Sequence, residues 1–332
     1  MSVFYSKPHH ALSQPLFAVQ EAARIMKQLT LTQALEGYIL FAEPKLSPHT
    51  LQDYFNTFRK FQAFLGDDLL INQINVDQVA GFISQYQHLR KKTLRNYHTG
   101  LSALWTWAYQ QKLVEEKVPQ QYTPPRPDEL AIVPYTEADI KAMLASCQKS
   151  KAYMLPGSRE TAADLPEGLR LKTSLLLLLD TGIRASEYCG LRFKDVDLRN
   201  KNIIVLGKGR KERQIPVSSR TSQVLWTYFS TRPDMLINSP AFATINGTPI
   251  HRDNFLKSIY RLGERAGVQD PTIHRFRHTF AINFLRNGGD IYTLQRILGH
   301  STLDMVKRYL AIAQVDIQAA HRRASPVTNW GL

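Results

Sequence analysis

Four short stretches in the second part of the chain each place a basic or imidazole group beside a glycine, a turn or a helix start. In Thr181-Gly182-Ile183-Arg184-Ala185-Ser186-Glu187, Gly182 ends an apolar helical run and Arg184 starts the next turn. Taken alone, Arg184 reads either as an ion-pair partner of Glu187 or as a functional guanidinium. Lys208 stands between Gly207 and Gly209 in a turn. Such a tip can approach a groove or a phosphate closely, or can simply be solvated. No helix start with Lys-Ser/Thr follows, so it is not a nucleotide-binding loop. In His274-Arg275-Phe276-Arg277-His278, positions 274 and 277 share a helical face and can hold one small anion. Leu298-Gly299-His300-Ser301 comes last, with Tyr309 nine residues beyond His300. That histidine could equally cap a helix, and that tyrosine could equally fill a core beside Leu310.

Together these groups suit one reaction better than each suits its bland alternative. A phosphodiester under attack gains charge on its non-bridging oxygens, and two guanidiniums can grip those oxygens bidentately. A tyrosine nucleophile has a pKa near ~10, so only about one in a thousand is ionised at neutral pH. It needs a cationic pocket or a neighbouring base. The departing 5′ oxygen needs a proton, which a lysine can deliver. Two arginines, two histidines, a lysine and a late tyrosine make a kit for phosphoryl transfer to tyrosine without a metal or a cofactor. Cys147 and Cys189 have no metal-ligand spacing and are too few for a disulfide framework.

Helices must position this kit. Ser47-Pro48 is an N-cap and first-turn pair. Behind it Leu51, Tyr54, Phe55, Phe58, Phe61, Phe64 and Leu65 form an apolar stripe at helical spacing. Val76-Asp77 opens a second helix carrying Val79, Phe82, Ile83 and Tyr86. A third, from Lys92, carries Leu94, Tyr97, Leu101, Leu104, Trp105 and Ala108. Thr123-Pro124-Pro125-Arg126-Pro127 cannot sustain a helix and marks a linker. Thr136-Glu137-Ala138-Asp139 then caps a new helix with Ile140, Met143 and Leu144 inward. A surface loop over 150–168 precedes a buried helix over Leu171–Leu179. Asn202–Leu206 and Gln214–Val217 are the one clear β signal, and helical periodicity resumes at Arg252.

The 332 residues suggest two domains, and a hydrophobic fraction of 43% excludes wholesale disorder. The net charge of +14 points to a polyanionic partner. Up to residue 125 there are 12 basic and 9 acidic side chains, and beyond it 30 and 19, so the second part faces most of that anion. Arg90, Lys91, Lys92 and Arg95 form a cationic helix start that suits a phosphate backbone or a merely solvated face. Apolar runs are too short for a membrane span, and no signal peptide is evident. A cytoplasmic, nucleoid-associated protein is expected.

In order and in local context, Arg184, Lys208, His274-x-x-Arg277, His300 and Tyr309 resemble the tyrosine recombinases, or phage-type integrases. The gaps of 24, 26 and 9 residues (184 to 208, 274 to 300, 300 to 309) look like those of the Xer-like bacterial branch. The resemblance covers about 30–325. It implies a mainly α fold with a small β-hairpin or sheet. After an extension over 1–28, a SAM-like helical core-binding domain would span 29–120. A linker over 121–132 would lead to a catalytic domain of the DNA breaking-rejoining fold over 133–325. The tail over 311–332 could dock on an adjacent protomer or pack in cis. Tyr309 would form a 3′-phosphotyrosyl link, Arg184 and Arg277 would hold the phosphate, and Lys208 would protonate the leaving oxygen. His274 would act as general base or acid, and His300 would hydrogen-bond a phosphate oxygen. Arg210 and Lys211, beside Lys208, join the first-domain cations as expected DNA contacts.

The implied partners are duplex DNA with inverted-repeat core sites and further copies of the chain, a tetramer on two duplexes. An accessory protein or a second recombinase could join them. Three features depart from the family pattern. Leu310-Ala311 replaces its common Thr-His, the 150–168 loop is long, and 1–28 lacks a basic β-rich arm-binding pattern. Integration or excision of a mobile element is the expected role. Chromosome or plasmid dimer resolution, a relaxing topoisomerase and a catalytically silent DNA-binding protein are the alternatives.

Overall fold

The computed structural model describes residues 29–128, 131–148, 167–207, 211–313, 321 and 324–332. Lys208, Arg210, the 1–28 extension, most of the 150–168 segment and much of the 311–332 tail lie outside the described residues. The chain divides into two units between residues 130 and 131.

Side-chain oxygens start most helices of the first unit. Thr30 and Gln33 cap α1 (Leu31–Ala42) reciprocally, and Asn75 and Gln78 do the same for α3 (Val76–Gln85). Ser47 caps α2 (Pro48–Leu65), with Pro48 in the first turn. The long α4 (Lys91–Gln110) and the short α5 (Val118–Gln121) complete the unit. Their apolar faces meet in one core, where Phe61 packs edge-on to Phe82 at 5.2 Å and to Trp105 at 6.1 Å. Phe55, on the expected stripe, is 49% exposed. Each three-residue step along a helix drifts by about 60°, so Phe55 falls to one side of the arc centred between Phe58 and Phe61.

In the second unit, Thr136 and Asp139 form the expected capping box of α6 (Glu137–Ala145). The next helix, α7 (Gly168–Thr181), is buried on several sides through Leu171, Thr173, Ser174, Leu177 and Leu178, which makes it the central element. After α8 (Ala185–Gly190) come β1 (Val196–Asp197), β2 (Asn202–Leu206) and β3 (Glu212–Pro216), an antiparallel sheet in chain order. Ile203 pairs with Ile215 and Val205 with Arg213. The third strand therefore starts two residues before the apolar run that signals it, because the ladder needs backbone groups and not apolar side chains. The two-residue β1 is too short to carry a period of its own.

Helices follow to the end: α9 (Ser219–Ser230), α10 (Arg252–Arg265), α11 (Ile273–Arg286), α12 (Ile291–Leu298), α13 (Asp304–Ala313) and α14 (Pro326–Trp330). The main core joins α7, the sheet, α9, α10 and the start of α11. A smaller cluster of Ala281, Ile282, Leu285, Leu294, Leu298, Val306 and Tyr309 packs α11, α12 and α13 together. Among the described residues no helix is long and apolar enough to cross a membrane.

Trp105 is fully buried, and its indole N–H has no partner among the described residues. Trp105→Ala should cost about 3–5 kcal/mol of stability. Trp105→Phe should cost less, since it also removes the unpaired donor. Urea denaturation followed by circular dichroism checks the order of the two.

Candidate active site

Two helix ends and three arginines build the site. α7 closes at Gly182 with φ +61° and α12 closes at Gly299 with φ +64°, both left-handed. A Cβ at Gly182 would stand 2.5 Å from the Phe280 ring. The last carbonyls of a helix have no partner within it and carry the negative end of its dipole. Here three consecutive carbonyls at the end of α12 each meet a different guanidinium. Arg213 Nε donates to Ile297 O at 2.7 Å, Arg277 Nη2 to Leu298 O at 2.7 Å, and Arg184 Nη2 to Gly299 O at 3.1 Å. Arg277 Nη1 donates to Gly182 O at 2.9 Å, so the end of α7 is satisfied from the same cluster.

Glu187 is the carboxylate shared by two of these cations. Arg213 grips it with both terminal nitrogens at 2.8 Å, and Arg184 Nη1 approaches at 2.9 Å. The Arg184 backbone N–H also donates to it at 2.8 Å. Burial alone would raise the Glu187 carboxyl, but the Arg213 bonds, the Arg184 N–H and both positive charges hold it below the ordinary glutamate value. Arg277 is buried, and desolvation followed by the nearby Arg184 charge lowers its pKa to about 10. It remains a cation at neutral pH. Arg184 keeps 34% of its side chain exposed and is the guanidinium that faces solvent.

Tyr309 lies beside this cluster on α13 and is almost completely buried. Its hydroxyl is 2.9 Å from His278 Nδ1, and its ring lies nearly parallel to that of His300 at 6.4 Å. Burial raises the phenol above its usual value, while the charges of Arg277, Arg308 and Arg184 pull it part of the way back. His300 Nε2 is 2.6 Å from Arg277 Nη2. Since a guanidinium only donates, that nitrogen accepts and the His300 proton sits on Nδ1. This Nδ1 is buried without a partner among the described residues. Desolvation first, then the arginine charges, lower the His300 pKa to about 4.

Of the residues expected from sequence, Arg277, His300 and Tyr309 stand together, and Arg184 joins them through Gly299 and Glu187. His274 is on the exposed side of the first turn of α11, its ring 4.9 Å from that of His278. Lys211 is exposed at the edge of the β2–β3 turn. Arg90, Lys91, Lys92 and Arg95 are all exposed at the start of α4, where Lys91 Nζ pairs with Asp128 at 2.6 Å. Cations at a helix N-terminus oppose its dipole, and no acidic residue in that first turn offsets them. Arg213 and His278 stand within the stretches singled out in the sequence but were not assigned to the site. Their partners are 26 and 31 residues away, a distance over which helix or strand periodicity does not report a contact.

Two acid-dependent losses of stability should be separable. His278 and His300 stay neutral when folded, with pKa values lowered from 6.5 to about 4. The unfolded chain binds protons first, so stability should fall between those values as pH drops. Glu187 stabilises only while ionised, so a second loss should follow as pH falls below the usual glutamate value near ~4.3. His300→Asn should flatten the first phase and Glu187→Gln the second. At pH 7 Glu187→Gln should cost about 3 kcal/mol or more, because it leaves two guanidiniums without their carboxylate. Denaturant titrations over the pH range test all three.

Residues 136–315 match the phage integrase family, and residues 35–112 match the phage integrase N-terminal SAM-like domain. The chain is 28% identical to tyrosine recombinase XerD of Pseudomonas aeruginosa over 295 residues, 86% of this chain and 94% of that protein. It is likewise 28% identical to tyrosine recombinase XerC of Staphylococcus carnosus over 296 residues, 87% and 95% of the two chains. In fold it is similar to the Tn1549 transposon integrase in complex with circular intermediate DNA, with TM-score 0.70 and 22% identity over 89% of this chain and 99% of that one. It is also similar to a lambda integrase dimer bound to a COC′ core site, with TM-score 0.69 and 15% identity over 91% and 81%. The chain belongs to the phage integrase family, the tyrosine recombinases, enzymes that cleave and rejoin DNA.

Proposed function

We propose that the protein is a site-specific recombinase that integrates or excises a mobile element. Tyr309 attacks a scissile phosphate of duplex DNA, forms a 3′-phosphotyrosyl bond and releases the 5′ hydroxyl. Arg184 and Arg277 hold the phosphate, and Lys208 gives the leaving oxygen its proton. His274 acts as general acid or base, and His300 hydrogen-bonds a phosphate oxygen. The observation that carries this reading is unbalanced charge. Two guanidiniums share one carboxylate and a third stands beside them near a tyrosine hydroxyl, an excess of positive charge that an arriving phosphate would partly offset. The buried His300 N–H, without a partner among the described residues, is a further donor for that anion. Because bond energy is kept in the phosphotyrosine, the reaction needs no cofactor.

Residues 29–120 bind the core site, 121–132 link, and 133–325 catalyse. The tail over 311–332 docks on a neighbouring copy in a tetramer that joins two duplexes with inverted-repeat sites, in the cytoplasm at the nucleoid. Arg90, Lys91, Lys92, Arg95, Arg210 and Lys211 contact the DNA backbone. The mobile-element role is favoured over dimer resolution by the extra length at 1–28 and 150–168 relative to compact Xer-like members.

A half-site suicide substrate tests the chemistry, with the site drawn from DNA flanking the gene or selected from a library by binding. Wild type should give an SDS-resistant protein–DNA adduct in EDTA, and Tyr309→Phe should give none. Specific binding by both proteins with no adduct from either, even with a partner recombinase supplied, would favour a silent DNA-binding protein. Removing Arg184 should slow adduct formation by about 10²–10³. Lys92→Ala and Arg95→Ala should each weaken binding regardless of sequence. Each should also reduce the slope of log affinity against log salt by about one. Fluorescence anisotropy across a salt series measures that slope.

A further inference from the structure

His278 has no part in the roles above, yet its Nδ1 stands 2.9 Å from the Tyr309 hydroxyl oxygen. Burial keeps this imidazole neutral, and the charges of His274, Arg277 and Arg308 reinforce that, lowering its pKa to about 4. A phenol beside a neutral imidazole nitrogen donates when the other ring nitrogen carries the proton. Nδ1 is then the acceptor of the Tyr309 proton. The other two imidazoles are placed differently. His300 has committed its Nε2 lone pair to Arg277 at 2.6 Å and presents a ring face to Tyr309. His274 lies one turn earlier on α11, on its exposed side, its ring edge-on to that of His278.

We infer that His278 is a catalytic residue whose Nδ1 takes the phenolic proton as Tyr309 Oη bonds to phosphorus. The inference rests on the reading of Tyr309 as the nucleophile. As the Oη–P bond forms, the P–O5′ bond breaks and its electron pair leaves on the 5′ oxygen, which takes a proton from Lys208. The phenolic proton ends on His278, now an imidazolium. Rejoining reverses each transfer. The 5′ hydroxyl gives its proton to Lys208 and bonds to phosphorus, and Tyr309 leaves while recovering its proton from His278. On this inference His278 replaces His274 as the base for the nucleophile, and the acid–base role proposed for His274 is revised to a contact with the phosphate.

His278→Asn tests this directly, because its side-chain oxygen can accept the Tyr309 hydrogen bond near the Nδ1 position but cannot hold a proton at neutral pH. Single-turnover adduct formation is measured on a half-site with an ordinary phosphodiester and on one with sulfur at the bridging 5′ position. Sulfur leaves without needing a proton. Wild type should react on both. Lys208→Ala should be slow on the oxygen substrate and restored on the sulfur one. His278→Asn should be slower than wild type by about 10² or more on both. Wild-type rates for His278→Asn on both substrates would overturn the inference, as would its rescue by sulfur. An adduct from wild type separates such a failure from failure of the recombinase reading, which would abolish the adduct altogether. Incorporating 3-fluorotyrosine in place of Tyr309 gives a readout that needs no DNA. Its fluorine resonance should move between the wild-type background and His278→Ala, and an unmoved resonance in a folded protein would overturn the inference.

Discussion

Three guanidiniums crowded around one carboxylate are the arrangement on which this catalytic unit depends. Arg184, Arg213 and Arg277 repel one another, and Glu187 supplies a single negative charge. The remaining compensation comes from main-chain carbonyls at the ends of α7 and α12, which point partial negative charge at the cluster. A buried cation is tolerable only when paired or fully hydrogen-bonded. Both terminal nitrogens of Arg277 are bonded, although among the described residues no carboxylate pairs with it directly. The left-handed glycines follow from the same requirement. Gly182 and Gly299 let each helix stop where its last carbonyls can face the arginines, and the Phe280 ring leaves no room for a side chain at Gly182.

This arrangement explains why so small a sheet is kept within a helical unit. Arg213 belongs to β3, and its pairing with Val205 fixes where its side chain emerges. From there it reaches both Glu187 at the start of α8 and Ile297 at the end of α12. One strand residue thus ties three elements that are distant in sequence. In sequence Lys208, the proposed general acid, lies five residues before Arg213. The smaller core of α11, α12 and α13 has a parallel task, holding Tyr309 against His278 and His300 through apolar packing.

Much of this could be read from the sequence, for identifiable reasons. Capping residues act on amides two or three positions away, so Ser47 and Thr136 mark their helices locally. Arg277, His300 and Tyr309 were recognisable because each stands in its own short context. The hub was less legible. Glu187 beside Arg184 could be read as an ordinary i,i+3 pair, but that Arg213 completes it depends on how the hairpin folds back. His278 looked like the tail of a motif, and its partner is set by the packing of α13 on α11. Phe55 shows the opposite limit, since an apolar stripe wider than the buried arc leaves its edge in water.

The same geometry constrains the timing of the chemistry. Burial holds Tyr309 above the usual phenol value of 10.0, and His278 lies near 4. The phenol is held above its ordinary value and the imidazole below its own, so full proton transfer before attack runs uphill on both sides. A preformed phenolate is therefore a poor route. The transfer gains driving force only as the Oη–P bond develops and the oxygen becomes acidic. An arriving phosphate adds negative charge beside His278 and offsets the cations that depress it, raising its basicity when a base is needed. Until DNA binds, the phenol proposed as nucleophile stays neutral and buried. Substrate charge then changes the proton affinities that the reaction requires, so activation is tied to occupancy of the site by a phosphate.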